Sequence, residues 1–234
     1  MKFGVVVFPG SQYDDVIHVL REALALEAVR LWHQDNSLDG FGAGDCIVLP
    51  GGFSYGDYLR AGALARFSPI LNAVAGFAAL GGYVWGIGNG FQVLCEAGLL
   101  PGALAVNLNH QFISRSVYLR TETNNSPITS NIMPGRVLTL PIAHGAGRYY
   151  ADAPTLNRLE NNGQVLFRYA TENGEITDAA NPNGALNNIA GICNEKRNIF
   201  GMMPHPERAA ERALGNTHGL LLFESLLATA KVAV

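Results

Sequence analysis

The chain has 234 residues, of which 48% are hydrophobic and 15% are charged, and its formal net charge is -3. This composition excludes a disordered chain, a collagen and a coiled coil, and it offers no basic excess to attract nucleic acid or an anionic membrane. No linker, repeat or low-complexity tract divides the sequence, so a single domain is predicted over residues 1–234.

Strands and helices alternate in the first half of the chain. Short apolar runs that end near Gly or Pro predict buried parallel strands at residues 3–8, 29–32, 46–49 and 83–87. Asp14 is a candidate N-cap for the first helix, and residues 69–80 predict another. The apolar stripe of the first helix comprises Val16, Val19, Leu20 and Leu24. The order βαβαβα indicates a parallel sheet flanked by helices.

Residues 67–95 carry no charged side chain, which raises the question of a membrane-spanning helix. Six glycines interrupt this run, and each is unfavourable inside a helix by about 1 kcal/mol. We therefore expect no membrane segment. Three sparse cysteines, Cys46, Cys95 and Cys193, are unlike a disulfide framework and fit a cytoplasmic location.

Antiparallel strands are predicted in the second half. Residues 112–121 and 137–142 are rich in β-branched and aromatic side chains and are separated by a turn-rich segment, so residues 106–142 are expected to form an antiparallel extension. Residues 189–193 and 198–202 are typical of a hairpin with Glu195 and Lys196 at its tip, and residues 220–231 predict a last helix. The fold class is therefore α/β, a three-layer sandwich around a central, mostly parallel sheet.

The loop after residues 46–49 is the first of three candidate ligand-binding loops. Ligands bind at the carboxyl ends of the strands in an open α/β sheet. Gly51 and Gly52 allow the backbone to approach a ligand and to direct N–H groups at a developing negative charge. Taken alone, such a glycine pair is more often an ordinary turn.

The second loop, GIGNGFQ at residues 86–92, connects a strand to a helix through a bend at Gly88. It resembles a nucleophile elbow, in which the residue at the bend has a strained backbone and an exposed side chain. The helix N-terminus would add N–H donors and the positive end of a dipole, which stabilise an oxyanion. Gly88 has no side chain and cannot itself attack a substrate.

The third loop, MPHPER at residues 203–208, contains His205 and Glu207 between prolines and an arginine. This pattern suits a general base whose tautomer is fixed by a carboxylate. An isolated His near a Glu usually has no catalytic role. The three loops together, in this order, favour a catalytic site.

These segments resemble the class I (triad) glutamine amidotransferases, and most closely the glutaminase subunits of phosphoribosylformylglycinamidine synthase. The similar segments span essentially the whole chain: VVVFPGS, LPGGFSYGDYLR, GIGNGFQVL, PIAHGAGRYYAD, NNIAGICN and GMMPHPER. The resemblance implies a flavodoxin-like fold and the hydrolysis of glutamine to glutamate and ammonia for purine biosynthesis. The partner it implies is a large synthetase subunit, which uses the ammonia with ATP and formylglycinamide ribonucleotide. A further candidate partner is a small third subunit.

The resemblance places the catalytic triad at positions 88, 205 and 207. His205 and Glu207 match the family, whereas Gly88 stands where the family has its nucleophilic cysteine. The candidate substrate-binding residues are Gly52, Phe53, Asn89, Gln92 and His144. For His144, a structural role is an equal alternative. No cofactor or metal is expected, because the six histidines show no ligand spacing.

Three further family motifs are altered, at Tyr13, Ser114 and Ala146. Because the family's reaction requires a thiolate to attack the amide carbonyl, glutaminase activity is predicted to be absent or residual. Cys95 lies two helical turns beyond the bend and is not expected to replace the missing nucleophile. Two alternatives stay open: a diverged relative with a different reaction or ligand, and a noncatalytic binding or regulatory subunit.

Overall fold

The structure is a computed structural model that describes residues 1–232. The strands in this range are β1 (Phe3–Val7), β2 (Ala28–Trp32), β3 (Cys46–Leu49), β4 (Tyr83–Ile87), β5 (Ala103–Ala105), β6 (Ile113–Thr121), β7 (Val137–His144), β8 (Arg148–Tyr150), β9 (Val165–Ala170), β10 (Ile189–Cys193) and β11 (Ile199–Met202). The α-helices are α1 (Tyr13–His18), α2 (Ile70–Ala79), α3 (Asn89–Glu96), α4 (Ala153–Asn161) and α5 (Leu220–Val232). The predicted domain includes residues 233 and 234, which lie outside the described residues.

The main sheet has the strand order β2-β1-β3-β4-β11-β10-β9-β6-β7. The first five strands in this order pair in parallel, and the last four continue the sheet through antiparallel pairs. Every residue of β3 and β11 is buried. Since successive side chains point to opposite faces, both faces of the sheet centre are covered, as expected for the middle of three layers. The predicted α/β fold class is confirmed.

Several predicted elements have their predicted bounds, because their sequence patterns are local and unambiguous. β3 and β4 coincide with residues 46–49 and 83–87, and β10 pairs with β11 in the predicted hairpin. The uncharged run of residues 67–95 is divided among α2, β4 and α3. Within residues 1–232, no helix has both the length and the apolar character needed to cross a membrane.

Other predictions need correction. Asp14 is not an N-cap: α1 begins at Tyr13 after Gln12, so the Asp14 carboxylate lies in the first turn, 3.2 Å from Nη2 of Arg30. A carboxylate at that position is stabilised by the helix dipole without capping the helix. The antiparallel region is larger than residues 106–142, because β9 and β10 join β6 and β7 in the same sheet.

Three features of the fold are not among the predicted elements: α4, β9 and a separate two-stranded sheet of β5 and β8. A signal for α4 is present, since Asp152 accepts a hydrogen bond from the Thr155 N–H as an N-cap and Pro154 occupies the first turn. The three-residue strands β5 and β8 carry no comparable local pattern.

The sheet order brings the candidate loops together. β3, β4 and β11 are adjacent and parallel, so their carboxyl ends lie at one edge. The loops that contain Gly52, Gly88 and His205 follow these three strands.

Candidate active site

Gly88 lies at a sharp bend between β4 and α3. Its backbone has φ 52° and ψ -110°, and its N–H donates to the carbonyl of Met202 at 2.8 Å. This is a conformation that residues with a side chain rarely adopt. A Cβ built on Gly88 would lie 2.9 Å from Cε1 and 3.1 Å from Nε2 of His205. The bend therefore has the strained strand-to-helix geometry expected of an elbow and faces His205, and residue 88 carries no side chain.

His205 and Glu207 form a buried pair. His205 Nδ1 lies 2.7 Å from Glu207 Oε1, and both side chains are almost completely buried. The carboxylate accepts the hydrogen bond, so in the neutral form of the imidazole the proton resides on Nδ1 and Nε2 is a bare acceptor on the side of Gly88. The His205 N–H donates to the carbonyl of Pro141 at 2.8 Å, which anchors this loop to β7.

The glycine pair after β3 forms the adjacent wall. The Gln12 N–H donates to the Gly51 carbonyl at 2.8 Å, and the Phe53 N–H donates to the Gly10 carbonyl at 3.1 Å. Gly52 has φ 109°, and an added Cβ would lie 2.6 Å from the Gly10 oxygen, so only glycine fits. These two hydrogen bonds hold the loop after β3 against the loop after β1.

Asn89 and Gln92 are held by an internal hydrogen-bond network. The Asn89 amide oxygen accepts from the Ser54 N–H at 2.9 Å, and its Nδ2 donates to Asp57 Oδ1 at 3.1 Å and to Gln92 Oε1 at 2.8 Å. Gln92 in turn donates to the Ala146 carbonyl at 2.6 Å. Both residues line the site, and these contacts commit their amide groups to fixing the loops around it.

Burial raises the pKa of Asp57 above its usual value, while the hydrogen bond from Asn89 opposes that rise. The network therefore surrounds a carboxyl group that binds a proton more readily than an exposed aspartate does.

His144 lies at the end of β7 and is 4% exposed. Its Nδ1 atom is 3.0 Å from Oδ1 of Asn107, and its Nε2 atom is buried with no hydrogen-bond partner among the described residues. Burial, followed by the nearby His205, lowers the pKa of His144 to about 4. The imidazole is therefore neutral near pH 7.

Arg208 lines the cavity, although the motif that contains it predicts no role for this residue. Its Nη2 donates to Oε1 of Gln12, and its Nε lies 3.2 Å from Oδ2 of Asp15. Both Arg208 and Gln12 line the cavity. The only sequence signal is the position of Arg208 directly after Glu207.

These groups surround a cavity of about 820 Å³. Of the predicted substrate-binding residues, Gly52, Phe53, Asn89, Gln92 and His144 all line it. Phe53, Leu59 and Phe112 are more than half exposed and give its mouth an apolar rim. Among the predicted triad positions the lining includes His205, whereas Gly88 and Glu207 are not part of it.

The sequence also raises the questions of Cys95 as a replacement nucleophile and of a metal site. Cys95 does not line the cavity; burial raises its pKa, and its thiol lies 3.9 Å from the carbonyl of Pro101. Among residues 1–232, no three His, Cys, Asp or Glu side chains converge to hold a metal ion.

Comparisons with known proteins agree over nearly the whole chain. Residues 4–219 match the family of CobB/CobQ-like glutamine amidotransferase domains. Phosphoribosylformylglycinamidine synthase subunit PurQ from Moorella thermoacetica is 55% identical, with 97% of this chain and 95% of that protein covered. The same subunit from Trichormus variabilis is 57% identical, with 97% of each chain covered.

A solved structure of PurLQS from Thermotoga maritima matches with a TM-score of 0.85 and 40% identity, covering 97% of this chain and 98% of that one. A glutamine amidotransferase from Thermotoga maritima matches with a TM-score of 0.54 at 14% identity, over 99% and 92% of the two chains, and this likeness concerns the fold alone. The chain belongs to the CobB/CobQ-like glutamine amidotransferases and, among them, to the PurQ subunits of phosphoribosylformylglycinamidine synthase.

Proposed function

We propose that this chain is the PurQ-type subunit of phosphoribosylformylglycinamidine synthase in purine biosynthesis, and that as it stands it does not hydrolyse glutamine by the covalent route. Its substrate pocket is the cavity beside His205, and its partner is the large synthetase subunit, with a small third subunit in the same complex. Its place of action is the cytoplasm. The relatives support this role, since the chain covers almost their full length at 55% and 57% identity.

The observation that carries the proposed loss of activity is the geometry at Gly88. The bend keeps a strained elbow conformation, and the buried His205 and Glu207 pair keeps its hydrogen bond. What is missing is the sulfur that would attack the amide carbon of glutamine and form a thioester. Removing a covalent nucleophile costs several orders of magnitude in rate, because neither water nor the remaining pair replaces it efficiently.

Two backbone N–H groups and the His205 ring support the proposed chemistry. Asn89 is the first residue of α3, so its N–H has no acceptor within the helix, and the helix dipole is positive at this end. Together with the backbone N–H of Gly52, it would stabilise the negative charge on the carbonyl oxygen. His205 would transfer the proton to the leaving ammonia.

The decisive experiment measures ammonia release from glutamine with and without the large synthetase subunit. The chain as it stands should release almost none, and Gly88→Cys should restore release that is lost again when His205→Ala is added. Gly88→Ala is the matched control, because it adds the Cβ without the sulfur. An inactive Gly88→Cys variant that folds and binds the synthetase would show that the other altered positions have remade the pocket for another ligand.

Assembly is measured separately by size-exclusion chromatography and by the ammonia-dependent reaction of the synthetase. A chain that forms no complex with the large subunit would contradict the proposed role and favour a diverged relative. Because the chain as it stands should release almost no ammonia, its His205→Ala variant should form the complex and support the ammonia-dependent reaction equally well.

A further inference from the structure

We propose that His144 binds an N–H group of the amino acid ligand through its Nε2 atom, and that Asn107 positions it by keeping that atom unprotonated. This inference rests on the proposed function, because it identifies how the same cavity distinguishes glutamine from ligands with fewer N–H groups.

The orientation of the Asn107 amide follows from its partners. Its Nδ2 donates to the carbonyl of Gln111 at 2.8 Å and to that of His144 at 2.9 Å, and its Oδ1 accepts from the Gly147 N–H at 2.9 Å. Carbonyl oxygens only accept and a backbone N–H only donates. A flipped amide would break all three contacts, so Oδ1 is the atom that faces His144.

This orientation determines the tautomer of His144. Its Nδ1 lies 3.0 Å from Asn107 Oδ1, which is an acceptor, so Nδ1 must carry the proton. In a neutral imidazole the other nitrogen is then a bare acceptor. A second proton on Nε2 is disfavoured by burial of the ring and by the neighbouring His205.

The Nε2 atom is the part of this arrangement that lacks a partner. It is buried and forms no hydrogen bond among residues 1–232, although the residue lines the cavity. The loop that follows His144 is held firmly, since Asn107 binds Gly147 on one side and Gln92 binds Ala146 on the other. A buried acceptor without a donor is unfavourable, and a ligand N–H would satisfy it while a carboxylate oxygen would be repelled.

Glutamine offers two sources of such an N–H group, the side-chain amide and the α-ammonium. Glutamate retains only the ammonium, and glutaramate, which lacks the α-amino group, retains only the amide. These three ligands therefore separate the two sources.

The test is calorimetric binding to the chain as it stands, which permits glutamine to be measured without turnover. His144→Asn keeps an atom near the Nδ1 position and removes the Nε2 acceptor, whereas His144→Gln can place an oxygen near Nε2. We expect His144→Asn to weaken glutamine binding about tenfold or more, and His144→Gln to stay within about threefold. A purely structural role for His144 predicts the reverse order, because that role depends on Nδ1. Loss of the His144→Asn effect with glutamate would identify the amide as the donor, and its loss with glutaramate would identify the ammonium.

The tautomer is checked independently by ¹⁵N NMR of the labelled imidazole, where Nδ1 should carry the proton. A proton found on Nε2, or glutamine binding that is unchanged in His144→Asn, would overturn this inference and leave the proposed function standing. If neither the chain as it stands nor Gly88→Cys bound glutamine, the proposed function would fail and this inference with it.

Discussion

Gly51 lies directly against the imidazole of His205: a Cβ on residue 51 would be 2.5 Å from Cε1 and 3.1 Å from Nδ1 of that ring. The ring is thus enclosed by two glycines, Gly51 after β3 and Gly88 after β4. The position of the His205 ring depends on the absence of side chains at both bends.

Gly51→Ala should therefore displace His205 and weaken its bond to Glu207. Because Gly51 does not require a positive φ, the cost is steric, and we expect a loss of about 1–3 kcal/mol in the free energy of unfolding. In a Gly88→Cys background, ammonia release should fall at least tenfold, since His205 would no longer be in position. Gly42→Ala, where an added Cβ meets nothing within 4 Å, is the control for both measurements.

Gly88→Ala should lower the stability of the fold. The backbone of residue 88 has φ 52°, which is unfavourable for alanine, and the added Cβ would contact the His205 ring. The expected loss is about 1–3 kcal/mol, measured by chemical denaturation. Gly76→Ala lies in the interior of α2 with open space around it, and it should instead stabilise the chain by about 0.5–1 kcal/mol. A higher melting temperature for Gly88→Ala would contradict a strained elbow.

Glu207→Gln should disturb the His205 tautomer. A glutamine amide can present its NH₂ group to Nδ1, which favours the proton on Nε2 and removes the acceptor needed on the side of residue 88. In a Gly88→Cys background, ammonia release should drop by more than tenfold. The same substitution at Glu211, whose carboxylate pairs with His18 at 2.7 Å outside the cavity, is the control. Unchanged ¹⁵N shifts of the His205 ring in Glu207→Gln would argue against tautomer control by Glu207.

Protonation of Glu122 in acid should lower the stability of the fold. Burial acts to raise its pKa, but hydrogen bonds and ion pairs with Arg120 at 2.6 Å and Arg168 at 3.1 Å outweigh burial and lower it. A carboxyl group whose pKa is lower in the folded chain contributes stability above its unfolded pKa of about 4.3, and this contribution is lost as the pH falls through the folded value.

Glu122→Gln should therefore destabilise the chain at pH 7 and show a smaller loss of stability on acidification. Denaturation midpoints between pH 7 and pH 3 measure both effects. Glu27→Gln is the control, because Glu27 is 67% exposed and its pair with Lys2 at 3.5 Å is weak. Equal pH dependence in Glu122→Gln and the original chain would contradict this role.

Several parts of the site could be predicted because their signals are local. β3, β4 and β11 are short apolar runs, and each is followed by a distinctive loop. Parallel strands must place those loops at one edge, so the meeting of Gly52, Gly88 and His205 follows from strand order. The Asn89 and Gln92 amides show the limit of this reasoning, since their placement at the cavity is predictable while their internal hydrogen bonds are not.

By itself the sequence determined the fold class, the order of the three loops and the absence of a side chain at Gly88, because apolar periodicity, glycine pairs and residue identity are all local properties. Only the tertiary structure decided which side chains meet: Arg208 with Gln12, 196 positions apart, and His144 with Asn107, 37 positions apart. Those contacts depend on how distant loops pack over one sheet edge. The orientation and protonation of these side chains are therefore set by folding, while the absence of a side chain at residue 88 is set by the sequence alone.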